Sequence, residues 1–151
     1  MDTYLAVASK RDWRSYAPDR PVPPEVERRI LDAGRVAGSA MNRQPWVFVV
    51  VESPEAKERV AQVVHAQDNV RTAALAIAIA TEGGKAALDV GRAMQNMFLV
   101  AWNEDVVSCP NGIKDAEAAA GALGLDDWWL PVNIPSFGYP KHARDPESKS
   151  A

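Results

Sequence analysis

The run from Ala86 to Asn103 constrains the fold more than any other part of the chain. Val90, Met94, Met97, Phe98 and Ala101 recur at helical spacing in a broad apolar stripe, and Leu88, Leu99, Val100 and Trp102 carry that surface onto other faces. A helix with so little polar surface needs burial on more than one side, which puts it in the middle of the fold and against a partner subunit. Gly91 allows one close approach by another helix or by backbone. At 151 residues the chain suffices for one domain with a real core and not for two ordinary ones. A single compact domain is expected over 1–140, with a polar tail over 141–151.

The elements around this helix are read by the same means. Thr3 to Ala8 is a short apolar stretch compatible with a helix. Pro24 opens a helix reaching Gly34 or Val36, with Glu25 and Glu27 beside its positive end and Val26, Ile30 and Ala33 on one face. Gly38-Ser39-Ala40-Met41-Asn42-Arg43-Gln44-Pro45-Trp46 is a small-residue polar loop in which Pro45 biases Gln44 out of the helical region. Val47 to Val51 follows as a continuous apolar run, expected as a strand covered on both faces. Ser53 and Pro54 open a second helix expected to reach about Gln67. Ala73 to Thr81 alternates as a second strand. Val106 to Gly112 is a short extended piece with an Asn-Gly turn, and Asp115 caps a helix to about Leu123. Leu130 to Phe137 alternates but contains Pro131 and Pro135, so it is expected at an edge or terminus of the sheet.

A net charge of -3 argues against an extended phosphate-backbone footprint, so no nucleic-acid partner is expected. Val70 to Thr81 is too short to span a bilayer and no leader pattern is visible, so no membrane partner is expected either. The single cysteine, Cys109, cannot form an internal disulfide and suits a reducing cytoplasm. Trp102, Trp128 and Trp129 need large apolar surroundings, which a subunit interface or a bound ring would supply.

Two segments stand out as sites. Lys10-Arg11-Asp12-Trp13-Arg14 packs three cations into five residues, suited to a phosphate or carboxylate; the plainer alternative is a solvated turn with Asp12 paired to its neighbours. The loop before the first strand presents Ser39, Asn42, Gln44 and backbone N–H groups to a planar polar ligand; the plainer alternative is a connection whose side chains cap its own backbone. His65 lacks metal-ligand companions, Asp126 and Asp127 point apart if extended, and Cys109 reads as a packed residue rather than a nucleophile.

Read together, Lys10 to Tyr16, Gly38 to Trp46, Asp89 to Met97, Ser108 to Gly112, Gly124-Leu125 and Phe137 to Pro140 resemble the flavin-dependent nitroreductase family, in the family's order and over nearly the whole chain. The resemblance implies an α+β homodimer with a central, mostly antiparallel sheet flanked by helices. It implies FMN in a cleft at the subunit interface. By this resemblance Lys10 and Arg14, with Arg11 between them, meet the flavin phosphate; Ser39 and Asn42, with Gln44 nearby, border the ring. Gln95 and Asn96 form a polar pair on the interface helix, the backbone around Val107 and Ser108 lies beside the ring, and Arg144 assists the phosphate. Flavin N5 carries the chemistry, taking hydride from NADH or NADPH and reducing a nitroaromatic, quinone or related small acceptor in a ping-pong cycle, so no catalytic side chain is required.

The departures from the family pattern are Asp12 where serine is usual, Gly38 where proline is usual, and Glu104-Asp105-Val106-Val107 in place of a Gly-rich helix end. Asp12 would then pair with Arg11 or Arg14 to hold the clamp in shape. The short connection from Gln67 to Asp89 and the few residues after Gly138 imply a compact or truncated member with a reduced lid and arm. A flavin-binding or storage module with little reductase activity, and a structural homodimer that has lost flavin, are the alternatives to an enzyme.

Overall fold

The computed structural model describes residues 2–143, and the expected contribution of Arg144 lies outside them. Helix α1 (Thr3–Ser9) is capped by the Asp2 carboxylate, and α2 (Pro24–Arg35) starts on its proline. Strand β1 (Trp46–Val51) leads to α3 (Pro54–Ala61), capped by Ser53, and α4 (Gln67–Arg71). Strand β2 (Leu75–Glu82), helix α5 (Ala87–Asn103) and strand β3 (Val107–Cys109) follow. Asp115 caps α6 (Ala116–Leu123), and β4 (Trp129–Asn133) and β5 (Ser136–Gly138) close the described chain.

The five strands pair antiparallel in the order β1-β2-β5-β3, with β4 on β2. Strand β2 is the hub because its two faces serve two cores. Leu75, Ile77 and Ile79 pack with Ile30 of α2 and with Val90, Met97 and Phe98 of α5. Ala76 and Ala78 face the other way, against Val60, Val70 and Ala119 of the helices on the far side and Val64 of the segment between α3 and α4. Alternation puts large residues toward α5 and alanines toward the second layer.

Strand β1 is covered on both faces, with Phe48 on the α5 core and Val49 and Val51 on the other. Only β2 pairs with it, so it is an edge strand and only half-buried except at Val51. Two expectations need correction. The second helix stops at Ala61 rather than Gln67: Val64 bridges Ile113 and the His65 N–H donates to the Gly112 carbonyl at 2.9 Å, and these tertiary pairings replace the next helical turn. The proline-containing run is two strands, not one edge. Strand β5 lies inside the sheet between β2 and β3, pairing with Leu75 and Ala76 of β2, whereas β4 pairs farther along β2 at Ile79 to Glu82, with a register shift at Ile79/Ala80 within that pairing. Trp102 is buried and donates to the Ser9 hydroxyl at 2.8 Å, whereas Trp128 is 67 % exposed. Among the described residues no helix is long and apolar enough to cross a membrane.

Candidate functional site

The cationic segment is held by β3. Asp12 forms a parallel bridge with Ser108, and the Trp13 N–H donates to the Ser108 carbonyl at 3.0 Å. Lys10 is drawn inward: its side chain is only 8 % exposed, its ammonium pairs with the Asp12 carboxylate, and it stands 4.2 Å from the centre of the Phe98 ring. A cation over an aromatic face with a carboxylate alongside is a stable arrangement for a partly buried lysine. The partner of Asp12 is therefore Lys10, not Arg11 or Arg14. Arg11 instead donates to the Ala8 and Lys10 carbonyls at 2.9 and 3.0 Å, serving the open carbonyls at the end of α1.

Arg14 is exposed and lies beside the Cys109 thiol. Burial pushes that thiol up, and the Arg14 charge opposes the shift without cancelling it, so Cys109 stays a packed thiol. The Ser108 hydroxyl is buried with no hydrogen-bond partner. Beneath it runs a polar network that the sequence did not signal. Tyr16 Oη and Ser136 Oγ are 2.7 Å apart, Asn111 donates to the Ile134 carbonyl at 2.8 Å, and Asn69 donates to Asn111 Oδ1 at 2.9 Å. Burial raises the Tyr16 phenol, so the group stays neutral. The Asn-Gly pair reads as a turn in the sequence, and nothing local marks Asn111 as the network's centre.

The loop before β1 makes a single 3-10 turn over Ala40–Asn42. Met41, Asn42 and Gln44 have φ of 50°, 52° and 48°, and none is glycine. Three such residues in four positions cost of order 1 kcal/mol or more each and persist only where the surroundings hold them. The Gln44 N–H donates to Ser39 Oγ at 2.9 Å, Gln44 Nε2 donates to Asn42 Oδ1 at 3.3 Å, and the Ala40 N–H donates to Asp89 Oδ2 at 3.2 Å. The loop thus caps itself while residues 40–44 stay exposed.

Gln95 is exposed, and Asn96 donates to the Ala33 carbonyl at 3.3 Å, tying α5 to α2. Both line a groove of about 500 Å³ with Gly38 and Arg92. The structure thus brings Lys10, Arg11 and Arg14 together with Val107 and Ser108; the loop of Ser39, Asn42 and Gln44 reaches the groove of Gln95 and Asn96 through Gly38, while Gln44 itself lines a separate cleft with Thr81 and Trp129. The structure does not bring the two groups together within one chain. The clamp packs on Phe98 and the loop on Asp89, about 13 Å apart along the α5 axis at ~1.5 Å per residue. Among the described residues no cluster of His, Cys, Asp or Glu could hold a metal ion.

The model of the nitroreductase family matches residues 7–83 and 65–139. A provisionally named NADH dehydrogenase/NAD(P)H nitroreductase of Methanothermobacter thermautotrophicus is 27% identical over 150 residues, which cover 93% of this chain and 78% of that protein. An FMN-dependent nitroreductase of Clostridium difficile superposes with a TM-score of 0.87 at 22% identity, covering 98% of this chain and 93% of that one. A provisionally named nitroreductase of Desulfovibrio desulfuricans, solved in complex with FMN, superposes with a TM-score of 0.84 at 26% identity, covering 100% of this chain and 96% of that one. The chain belongs to the nitroreductase family and is an oxidoreductase.

Proposed function

We propose that the protein binds FMN and uses NADH or NADPH to reduce a small nitroaromatic, quinone or related acceptor. The observation that carries this reading is the clamp on β3. Three cations and one carboxylate within residues 10–14 leave two net positive charges, matched to a phosphate dianion. The buried, unpartnered Ser108 hydroxyl beside them offers a further donor to such a ligand. The FMN complex of the Desulfovibrio desulfuricans relative supports the choice of cofactor.

In this reading Lys10 and Arg14 take phosphate oxygens, and Arg11 fixes the end of α1 from which Lys10 projects. Ser39, Asn42 and Gln44 border the ring from an exposed, preorganised loop; Gln95 and Asn96 lie on the same side, and the Val107–Ser108 backbone forms a wall. Bound FMN supplies the hydride chemistry, with donor and acceptor alternating in one space. The separation of clamp and loop along α5 supports a homodimer in which the loop of one subunit meets the clamp of the other. Tyr4, Met41 and Leu88, exposed by 82 %, 76 % and 79 %, would supply apolar surface for that contact. A cytoplasmic location, suited to the free thiol of Cys109, belongs to the same proposal.

The test is a Lys10→Ala/Arg14→Ala double variant titrated with FMN and with riboflavin. Each charge-assisted contact is expected to contribute about 1.5–3 kcal/mol. FMN affinity should fall by well over tenfold while riboflavin affinity and the folded state are kept. Undiminished FMN affinity would sink the clamp.

A further inference from the structure

Gly38 and Arg92 are complementary in a way that neither residue explains alone. A Cβ on Gly38 would stand 2.4 Å from Arg92 Nη2 and 3.2 Å from its Cζ. Gly38 is not among the glycines with positive φ, so the position requires space rather than backbone freedom. The guanidinium fills that space. Arg92 also faces Asp89 Oδ1 at 4.0 Å across one helical turn. The Asp89 side chain is only 10 % exposed, and its second oxygen accepts the Ala40 N–H at 3.2 Å. Asp89 thus joins Arg92 on one side to the loop on the other. That loop holds the left-handed residues Met41, Asn42 and Gln44, whose conformation needs outside support.

We propose that Gly38, Asp89 and Arg92 form a latch that fixes residues 39–44 on α5, and that Arg92 is a positioning residue for the ring-binding loop. The inference rests on the reading that this loop borders the flavin ring. Arg92 acts through the loop and need not touch the cofactor. A Cβ at position 38 would displace the Arg92 guanidinium from this seat, so the glycine and the arginine belong together.

The test is a double-mutant cycle of Gly38→Ala and Arg92→Ala. The clashing atom is the far end of a flexible side chain, so Gly38→Ala folds with the guanidinium swung aside. Amide exchange of Ala40 and Gln44 is followed in the flavin-free protein, with buried Ile77 in β2 as the control, and FMN affinity is measured alongside. Either single substitution should speed exchange at Ala40 and Gln44 about five- to tenfold, weaken FMN by a similar factor, and leave Ile77 unchanged. The double variant should be no worse than Arg92→Ala alone, because alanine at position 38 then meets no guanidinium. Effects that multiply in the double variant, or exchange that does not move, overturn the latch. The parent protein separates the two readings. If it takes up no FMN, the site assignment fails while the exchange cycle still decides the latch. If it binds FMN and loop exchange is unaltered, the latch alone fails.

Discussion

Replacing Asp12 with asparagine separates two opposed effects of one carboxylate. In the flavin-free protein Asp12 is the partner of Lys10, whose side chain is 8 % exposed against 45 % for Asp12. Breaking a fully buried pair from one side costs about 3–5 kcal/mol, and breaking an exposed pair about 0–1 kcal/mol. One buried partner and one half-open partner give a loss of about 1–2 kcal/mol, toward the lower end because asparagine keeps an oxygen for the ammonium. With a phosphate in the clamp the sign reverses. A carboxylate among these cations would repel a phosphate dianion held by them, by about 1–2 kcal/mol once solvent screens the pair. Asp12→Asn should therefore lower the Tm of the flavin-free protein and raise FMN affinity about tenfold. Riboflavin affinity should not change. Thermal scans with and without FMN, and fluorescence titrations with both flavins at fixed salt, read out all three quantities. An unchanged ratio of FMN to riboflavin affinity would refute the placement of the phosphate beside residues 10–14.

Other perturbations test the frame that holds the clamp. Gly138→Ala puts a Cβ 2.8 Å from Tyr16 Cδ1 and 3.3 Å from the Ala74 nitrogen, and Tyr16 is anchored by Ser136; a loss of about 1–3 kcal/mol is expected in denaturant titration, and an unshifted midpoint would contradict the packing. Tyr16→Phe should cost about 1 kcal/mol by leaving Ser136 Oγ without its shortest partner, again read as a denaturation midpoint. Burial and the neighbouring Glu52 push the Glu27 carboxyl up, so the folded state binds that proton more tightly than the unfolded chain. Its contribution favours folding at low pH and is lost as pH rises through the raised value. Glu27→Gln should thus add about 0.5 kcal/mol at neutral pH and nothing well below the ordinary glutamate range, and an equal gain at both pH values would show that charge is not the cause.

Local rules located much of the scaffold. Pro24 at the start of α2, Ser53 before α3, Asp115 before α6 and the apolar stripe of α5 are one-segment signals, and each element begins where its signal stands. What local rules missed depends on partners far along the chain. Ala61 ends α3 because Val64 meets Ile113, and β1 stays half-open because only β2 flanks it. The same division holds at the site. The density of cations at residues 10–14 was legible, but the choice of Lys10 over Arg14 as the partner of Asp12 follows from the Phe98 ring, which lies 88 residues away in sequence. Positive φ at Met41, Asn42 and Gln44 had no glycine to announce it, since tertiary contacts rather than residue type hold that conformation. The fit of Gly38 to Arg92 likewise exists only once α5 lies beside the loop.

The most direct test of the central claim is the visible absorbance of the purified protein, taken as isolated, after adding FMN, and anaerobically after NADH and then NADPH. The account predicts a flavin band near ~450 nm that at least one nicotinamide donor bleaches. A protein that stays colourless and takes up no added FMN, or one whose band neither donor bleaches, would contradict it.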